Sequence, residues 1–196
     1  MVQFNFPTII RFGAGAVTEL ADYLKSKDIK HPLLVTDPII ATLDFTHTLI
    51  RDVQQKGISI AVFHDIHKNP VKSDVLKGRD AFDSNKCDAI IGLGGGAAID
   101  VARAIVLSIN HREDLFKYDD LIGGDIYVTN DVPHFITIPT TAGTGSEVGR
   151  SAIIADDDIV QGVAHAVDVI RAGERQVFDI FAERVIDRGF DRVDLT

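Results

Sequence analysis

A single cysteine, Cys87, stands in 196 residues. It excludes an internal disulfide and fits a reducing compartment, so a cytoplasmic location is expected. As a lone thiol it reads as half-buried and inert. Clustered basic charge is missing too: the net charge is -9 and no run of Lys and Arg occurs. Nucleic acid is therefore not an expected partner, because phosphate neutralisation needs such clusters. Long apolar runs are absent as well. The least polar stretch, Ala89 to Ile99, is short and carries four glycines, so it cannot span a bilayer and no membrane partner is expected. Met1 to Pro7 has neither a basic start nor an apolar stretch, and no signal peptide is expected. Two further scarcities mark a break along the chain. All nine lysines lie at or before Lys117, and Pro139 is the last proline, whereas six arginines and no lysine follow from Arg150 onward. This predicts a main domain over residues 1–155 and a tail of different character over 156–196.

What is present is ordinary globular material, 45% hydrophobic and 25% charged, enough for one good core. Val2 to Phe6 and Ile9 to Phe12 alternate around Pro7-Thr8 as a hairpin would. Strands are then expected at Leu33–Thr36, Ile58–Phe63, Ala89–Leu93 and Phe135–Ile138. Between them, helical spacing joins Val17, Leu20, Ala21 and Leu24, then Leu43, Leu49, Ile50 and Val53, then Val71, Val75 and Phe82, and finally the run Ala97 to Ile109. In the tail, Ile159, Val163, Val167 and Ile170 share helical spacing, as do Val177, Ile180, Phe181 and Val185, which predicts two amphipathic helices. The expected fold is α/β: a Rossmann-like parallel sheet with helices on both faces, an N-terminal β-hairpin and a short helical C-terminal tail.

Ligands of such sheets bind at the carboxyl ends of the strands, and two loops there carry candidate chemistry. Gly92-Leu93-Gly94-Gly95-Gly96-Ala97-Ala98-Ile99-Asp100 joins a strand to a helix. Its glycines let the backbone approach a ligand, and the helix N-terminus offers unpaired N–H groups, so a pyrophosphate would fit. A tight turn without a ligand would use the same glycines. Asp114 stands about twenty residues on, as a dinucleotide fingerprint requires, but it lies in His111-Arg112-Glu113-Asp114 with no strand before it. Asp37 ends the Leu33–Thr36 strand and is the better acid to hold a ribose, though beside Pro38 it also suits a plain turn. The second loop, Pro139-Thr140-Thr141-Ala142-Gly143-Thr144-Gly145-Ser146-Glu147-Val148, packs four hydroxyls and two glycines after the fourth strand. Hydroxyls and free N–H groups suit a phosphate or a nicotinamide amide.

Gly94-Gly95-Gly96-x-x-x-Asp100 and Pro139 to Val148, in this order, resemble the iron-containing (group III) alcohol dehydrogenase family. Phe6-Pro7-Thr8, Gly13-x-Gly15, Thr36-Asp37 and Asn69-Pro70 fall where that family has similar residues, and the resemblance covers roughly residues 4–155. It implies that Asp37 holds the adenosine ribose and that Gly94, Gly95, Gly96 and Ala97 cradle the pyrophosphate. It further implies that Asn69, Thr140, Thr141, Thr144 and Ile153 line the cofactor cleft. Ala97 stands where a serine is usual, Arg103 where lysine is frequent and Gly149 where threonine is frequent.

The resemblance implies NAD as cofactor, with NADP disfavoured by the Asp37 carboxylate, and a small alcohol or aldehyde as substrate. It stops at the family's metal. Members carry iron or zinc on one Asp and three His of a second, helical domain, and the present chain is expected to be truncated to the cofactor half, with no metal. His165 is the one faint counterpart of a ligand, but the residue four before it is Gln161, and a solvated helix face shared with Asp168 is the expected setting. His64-x-x-His67 reads as polar loop. Two functions stay open: a weakly active oxidoreductase of the alcohol dehydrogenase type, or a non-catalytic NAD-binding module or relic. A homodimer through the tail is expected, because a lost domain leaves apolar surface.

Overall fold

The structure is a computed structural model, and it describes residues 9–157, 164–168 and 178–182. Six parallel strands form one sheet. They are β1 (Ile9–Phe12), β2 (Pro32–Val35), β3 (Ala61–Phe63), β4 (Ala89–Gly94), β5 (His134–Pro139) and β8 (Phe178–Ala182), in the order β1-β8-β5-β4-β2-β3. A separate antiparallel pair is made by β6 (Ser151–Ala155) and β7 (Ala164–Asp168). The helices are α1 (Leu20–Ser26), preceded by a 3₁₀ turn at Ala16–Glu19, α2 (Asp44–Gln55), α3 (Lys72–Asn85) and α4 (Gly96–Asn110). Each helix and each of the strands β2, β3, β4 and β5 falls where hydrophobic spacing predicts it; β3 is the shortest of these, with Ile58 buried just ahead of it.

Strand alternation sorts the core into two halves. Leu33, Val35, Ile90 and Phe135 turn to one face, where Val75, Phe82, Ala102 and Ile105 of α3 and α4 meet them. Leu34, Ile91, Leu93 and Ile136 turn to the other, against Leu20, Leu24, Leu49 and Val53 of α1 and α2. Helices on both faces leave the strands no polar side, hence their unbroken apolar runs. Every residue of α4 from Ala98 to Ile109 is buried. A helix apolar all round must be covered on all sides; the sheet, α3 and β6 cover it. Where α3 crosses α4, Gly78 makes the approach possible: a Cβ there would stand 2.2 Å from Ile105 Cδ1 and 2.9 Å from its Cγ1.

The tail corrects the prediction. Its described parts, residues 164–168 and 178–182, are strands, not amphipathic helices. β8 fills the slot between β1 and β5, in register with both. Phe and Ile have high strand propensity, and two open sheet edges outweigh a short helical spacing that is ambiguous by itself. The remaining residues of both expected helices lie outside the described ones. The first arm of the expected N-terminal hairpin, Val2–Phe6, also lies outside; the second is β1, which pairs parallel with β8. β6 and β7 pair across the boundary drawn at residue 155. Among the described residues no helix is long and apolar enough to cross a membrane.

Candidate functional site

Parallel strands all end on one edge, so the turns after β2, β4 and β5 stand side by side. The chain leaves β2 through α2 towards β3, on one face, and leaves β4 through α4 towards β5, on the other. The adjacent ends of β2 and β4 thus form a topological switch point, where open α/β sheets take their ligands. Asp37 and Gly94 occupy it.

Asp37 divides its carboxylate. Oδ1 accepts from the N–H groups of Ile39 and Ile40, each at 2.9 Å, and so caps the turn that leads to α2. Oδ2 faces the glycine turn, 3.5 Å from where a Cβ on Gly94 would be. The turn role falls on one oxygen of the side chain, and the other stays available to a ligand. Gly94 has φ +145, and a Cβ on it would meet Ala98 Cβ at 2.8 Å, so only glycine permits this turn. Gly95 caps α4 with no side-chain hydrogen bond to the first-turn amides. Those N–H groups point out of the helix end with the positive end of its dipole.

The second loop lies directly over this turn. The Thr140 N–H donates to the Gly94 carbonyl at 2.9 Å. Cβ atoms built on Gly95 and Gly96 would come to 3.2 Å from Thr141 Oγ1 and 3.1 Å from Ser146 Oγ. Thr141 and Thr144 are exposed, while Ala97 and Thr140 are half-buried. Asp37, Gly94, Gly95, Gly96, Ala97, Thr140, Thr141 and Thr144 therefore share one strand-end edge.

Asn69 and Ile153 reach that edge from the side. Both are exposed. Asn69 rides on the β3–α3 loop, which fully buried Asp74 holds: its carboxylate accepts from the N–H groups of His67 at 3.1 Å and Val71 at 3.2 Å, and pairs with His67 Nδ1 at 2.7 Å. The loop is stitched to β6 by the Val71–Ala155 bridge and by the Ala155 N–H donating to the Pro70 carbonyl at 2.9 Å. His64-x-x-His67 is thus loop structure, as its composition suggests.

Sequence reasoning did not find the group beneath the second loop. Arg103, on α4, is fully buried. Its guanidinium donates to the carbonyls of Ser146 and, at 3.2 Å, Ser151, and stands 3.6 Å from Asp100 Oδ1. Burial pushes the Asp100 carboxyl above its usual range, against the pull of Arg103, the Ile153 N–H and the Ser146 hydroxyl. Burial also pushes the guanidinium down to about 10, against Asp100 and Glu147. The i,i+3 spacing of an acid and a base inside an apolar helix was the available signal.

His165 is a correction too. It lies on strand β7, half-buried, with Nδ1 2.8 Å from Asp119 Oδ2 and its ring stacked on Phe116 at 3.9 Å. That is not a solvated helix face. Among the described residues no three His, Cys, Asp or Glu side chains gather as a metal site.

The fold and this edge define a nucleotide-binding α/β domain of the type with a glycine turn between strand and helix. Comparison with known proteins narrows the class. The family model for iron-containing alcohol dehydrogenase matches residues 7–168, and the chain belongs to that family. It is 36% identical to 4-hydroxybutyrate dehydrogenase of Cupriavidus necator over 158 residues, 81% of this chain and 41% of that protein. It is 32% identical to choline dehydrogenase of Bacillus subtilis (strain 168) over 155 residues, 79% of this chain and 38% of that one. A crystal structure of 1,3-propanediol oxidoreductase superposes with a TM-score of 0.80 at 26% identity, over 93% of this chain and 46% of its own. The chain spans about two fifths of the length of these curated relatives.

Proposed function

We propose that this chain binds NAD(H), in preference to NADP(H), as the cofactor half of an alcohol dehydrogenase-type oxidoreductase acting on a small alcohol or aldehyde. The observation that carries the reading is the switch point itself. A ribose diol can reach Asp37 Oδ2 while the pyrophosphate lies on the Gly94–Ala97 turn, and Thr140, Thr141, Thr144, Asn69 and Ile153 remain for the nicotinamide side. A 2'-phosphate at the same place would meet a carboxylate. Among the relatives, a methanol dehydrogenase of Bacillus methanolicus is NAD-dependent, and a sulfoacetaldehyde reductase from Bifidobacterium kashiwanohense was crystallised with NAD+. Fluorescence titration tests the reading: NADH should bind, and NADPH more weakly. Tighter NADPH binding would reject the role given to Asp37.

In the complete family a metal polarises the alcohol oxygen and a hydride passes to the nicotinamide. The described residues do not fit that metal: no three His, Cys, Asp or Glu side chains among them gather to hold it. What they can do is hold the dinucleotide and orient its nicotinamide beside a small carbonyl compound. One observation favours the second reading, a nucleotide-binding module without turnover. His165, the faint counterpart of a ligand, is committed to Asp119 and Phe116. NADH oxidation by small aldehydes, with and without chelator and alongside elemental analysis, separates the two. Chelator-sensitive turnover with about one metal per chain would reject the module reading and the expectation of a metal-free chain.

We take the cofactor unit as residues 1–155, to which the tail, 156–196, lends the strands Ala164–Asp168 and Phe178–Ala182. A cytoplasmic setting belongs to the same proposal.

A further inference from the structure

We propose that Asp100 and Arg103 act together as a positioning unit that sets the second loop over the glycine turn and so shapes the nicotinamide end of the site. The proposal deepens the NAD(H) reading and rests on it. It is carried by where the contacts of the pair fall. Arg103 holds the carbonyls of Ser146 and Ser151, and Asp100, 3.6 Å from the guanidinium, feels the pull of Ser146 and of the Ile153 backbone. These are the two ends of the segment by which the second loop runs into β6. The helix that supplies both side chains is the one whose N-terminus forms the glycine turn. The floor of the site and its cover are thus registered by a single rigid element. Ser146 is the point of contact: its carbonyl accepts from Arg103, and a Cβ on Gly96 would lie 3.1 Å from its Oγ. The hydroxyl spaces the loop above the turn.

The chemistry of the pair fits positioning better than stabilisation. A buried ion pair adds little to stability, because desolvation offsets the attraction. Both groups feel that desolvation more than each other: the Asp100 carboxyl is raised and the Arg103 guanidinium lowered, in each case with burial as the largest cause. What the guanidinium supplies is direction. Its planar fork reaches two carbonyls at once, which a lysine ammonium, a single point on a flexible stem, does less well. Thr144 and Ile153, offered to the cofactor, sit within or next to the anchored segment, whereas Asp37 and the Gly94 turn do not depend on it.

The test uses the full chain and the variants Arg103→Lys, Arg103→Met and Asp100→Asn. Hydrogen–deuterium exchange without ligand reads the tether alone. Exchange over residues 144–153 should quicken by at least about tenfold in Arg103→Met, which loses both guanidinium hydrogen bonds, with β4 amides unchanged. Binding reads its consequence. Arg103→Lys should weaken NADH by about tenfold while ADP-ribose, which lacks the nicotinamide, stays within about twofold. A merely structural defect weakens both alike. Equal losses for the two ligands in Arg103→Lys, or unchanged exchange in Arg103→Met, overturn the proposal. Should Arg103→Met fail to fold, Asp100→Asn, which removes the charge beside the guanidinium, must quicken the same segment. Failure of the unchanged chain to bind NADH overturns the cofactor reading instead, and the ligand-free exchange still decides the tether.

Discussion

Asp37 commits one carboxylate oxygen to the fold and leaves the other facing the glycine turn. With Oδ1 fixed by two backbone N–H groups, the carboxylate cannot swing away from the glycine turn, and Oδ2 keeps its position opposite Gly94. Asp37→Asn separates charge from cap, because its amide oxygen can still accept from Ile39 and Ile40. The repulsion of a 2'-phosphate at such a half-buried place is on the order of 1–3 kcal/mol. Asp37→Asn should therefore gain roughly tenfold or more for NADPH and leave the melting temperature nearly unchanged. Asp37→Gly should lose the cap as well, and with it roughly a few tenths of a kcal/mol of stability. An unchanged NADPH affinity in both variants would exclude the carboxylate as the discriminator. Cys87 gives a second check at this scale. Burial, with Asp88 adding to it, pushes its thiol up to about 11, so the thiolate is scarce at pH 8. Ellman's reagent should find no fast-reacting thiol in the native chain and one in urea.

At the scale of elements, the α3–α4 crossing depends on a missing side chain. Alanine at position 78 would improve helix propensity by about 0.8–1 kcal/mol. Against this, its Cβ would overlap both Cδ1 and Cγ1 of Ile105, with Phe63 Cε1 at 3.1 Å on the other side. Rotating Ile105 relieves only the first overlap, and its surroundings are fully buried, so overpacking, worth about 1–3 kcal/mol, should win. Gly78→Ala is expected to lower the urea midpoint with an unchanged slope; a higher midpoint would mean that the two helices move apart at no cost. β8 shows the reverse case. Its backbone finds partners on both sides in β1 and β5, and that supply of hydrogen bonds decides the conformation of a segment whose own preference is weak.

For the whole molecule, buried His111 and half-buried His134 set the response to acid. His111 is held neutral: Nδ1 bonds the Leu107 carbonyl at 3.1 Å, and Nε2 accepts from the Thr129 N–H at 2.9 Å. Burial lowers its pKa below 6.5, against the Leu107 bond, and burial likewise lowers that of His134, with Lys27 adding. Below pH 6.5 the unfolded chain then binds more protons than the folded one, so stability falls as pH falls through that region. Asp100, raised by burial, has the opposite sign, but only in the more acid range above its ordinary 3.8. Melting temperature should drop between pH 7.5 and 5.5, and His111→Gln should flatten that slope. An unchanged slope would show that the Thr129 contact does not control titration. Association is a separate matter. The described tail is spent on pairing within the chain, β7 on β6 and β8 between β1 and β5, so a dimer through residues 156–196 would have to exchange those strands between copies. Light scattering that shows one chain per particle at high concentration would end that expectation.

The site was legible where its chemistry is local. A glycine that needs φ +145 beside a helix start, a run of hydroxyls after an apolar strand, and an acid that closes a strand each announce themselves within a few residues. Parallel topology alone then brings them to one edge. The sheet's apolar runs likewise carry their own length and face. Long-range partners were not legible. No local pattern tells that Arg103 reaches carbonyls 43 and 48 residues away, that His165 meets an acid 46 residues before it, or that Phe178–Ala182 completes a sheet begun at Ile9. Such contacts depend on which surfaces are left open once the rest has folded, and for a short segment of mixed propensity those surfaces outweigh its own periodicity.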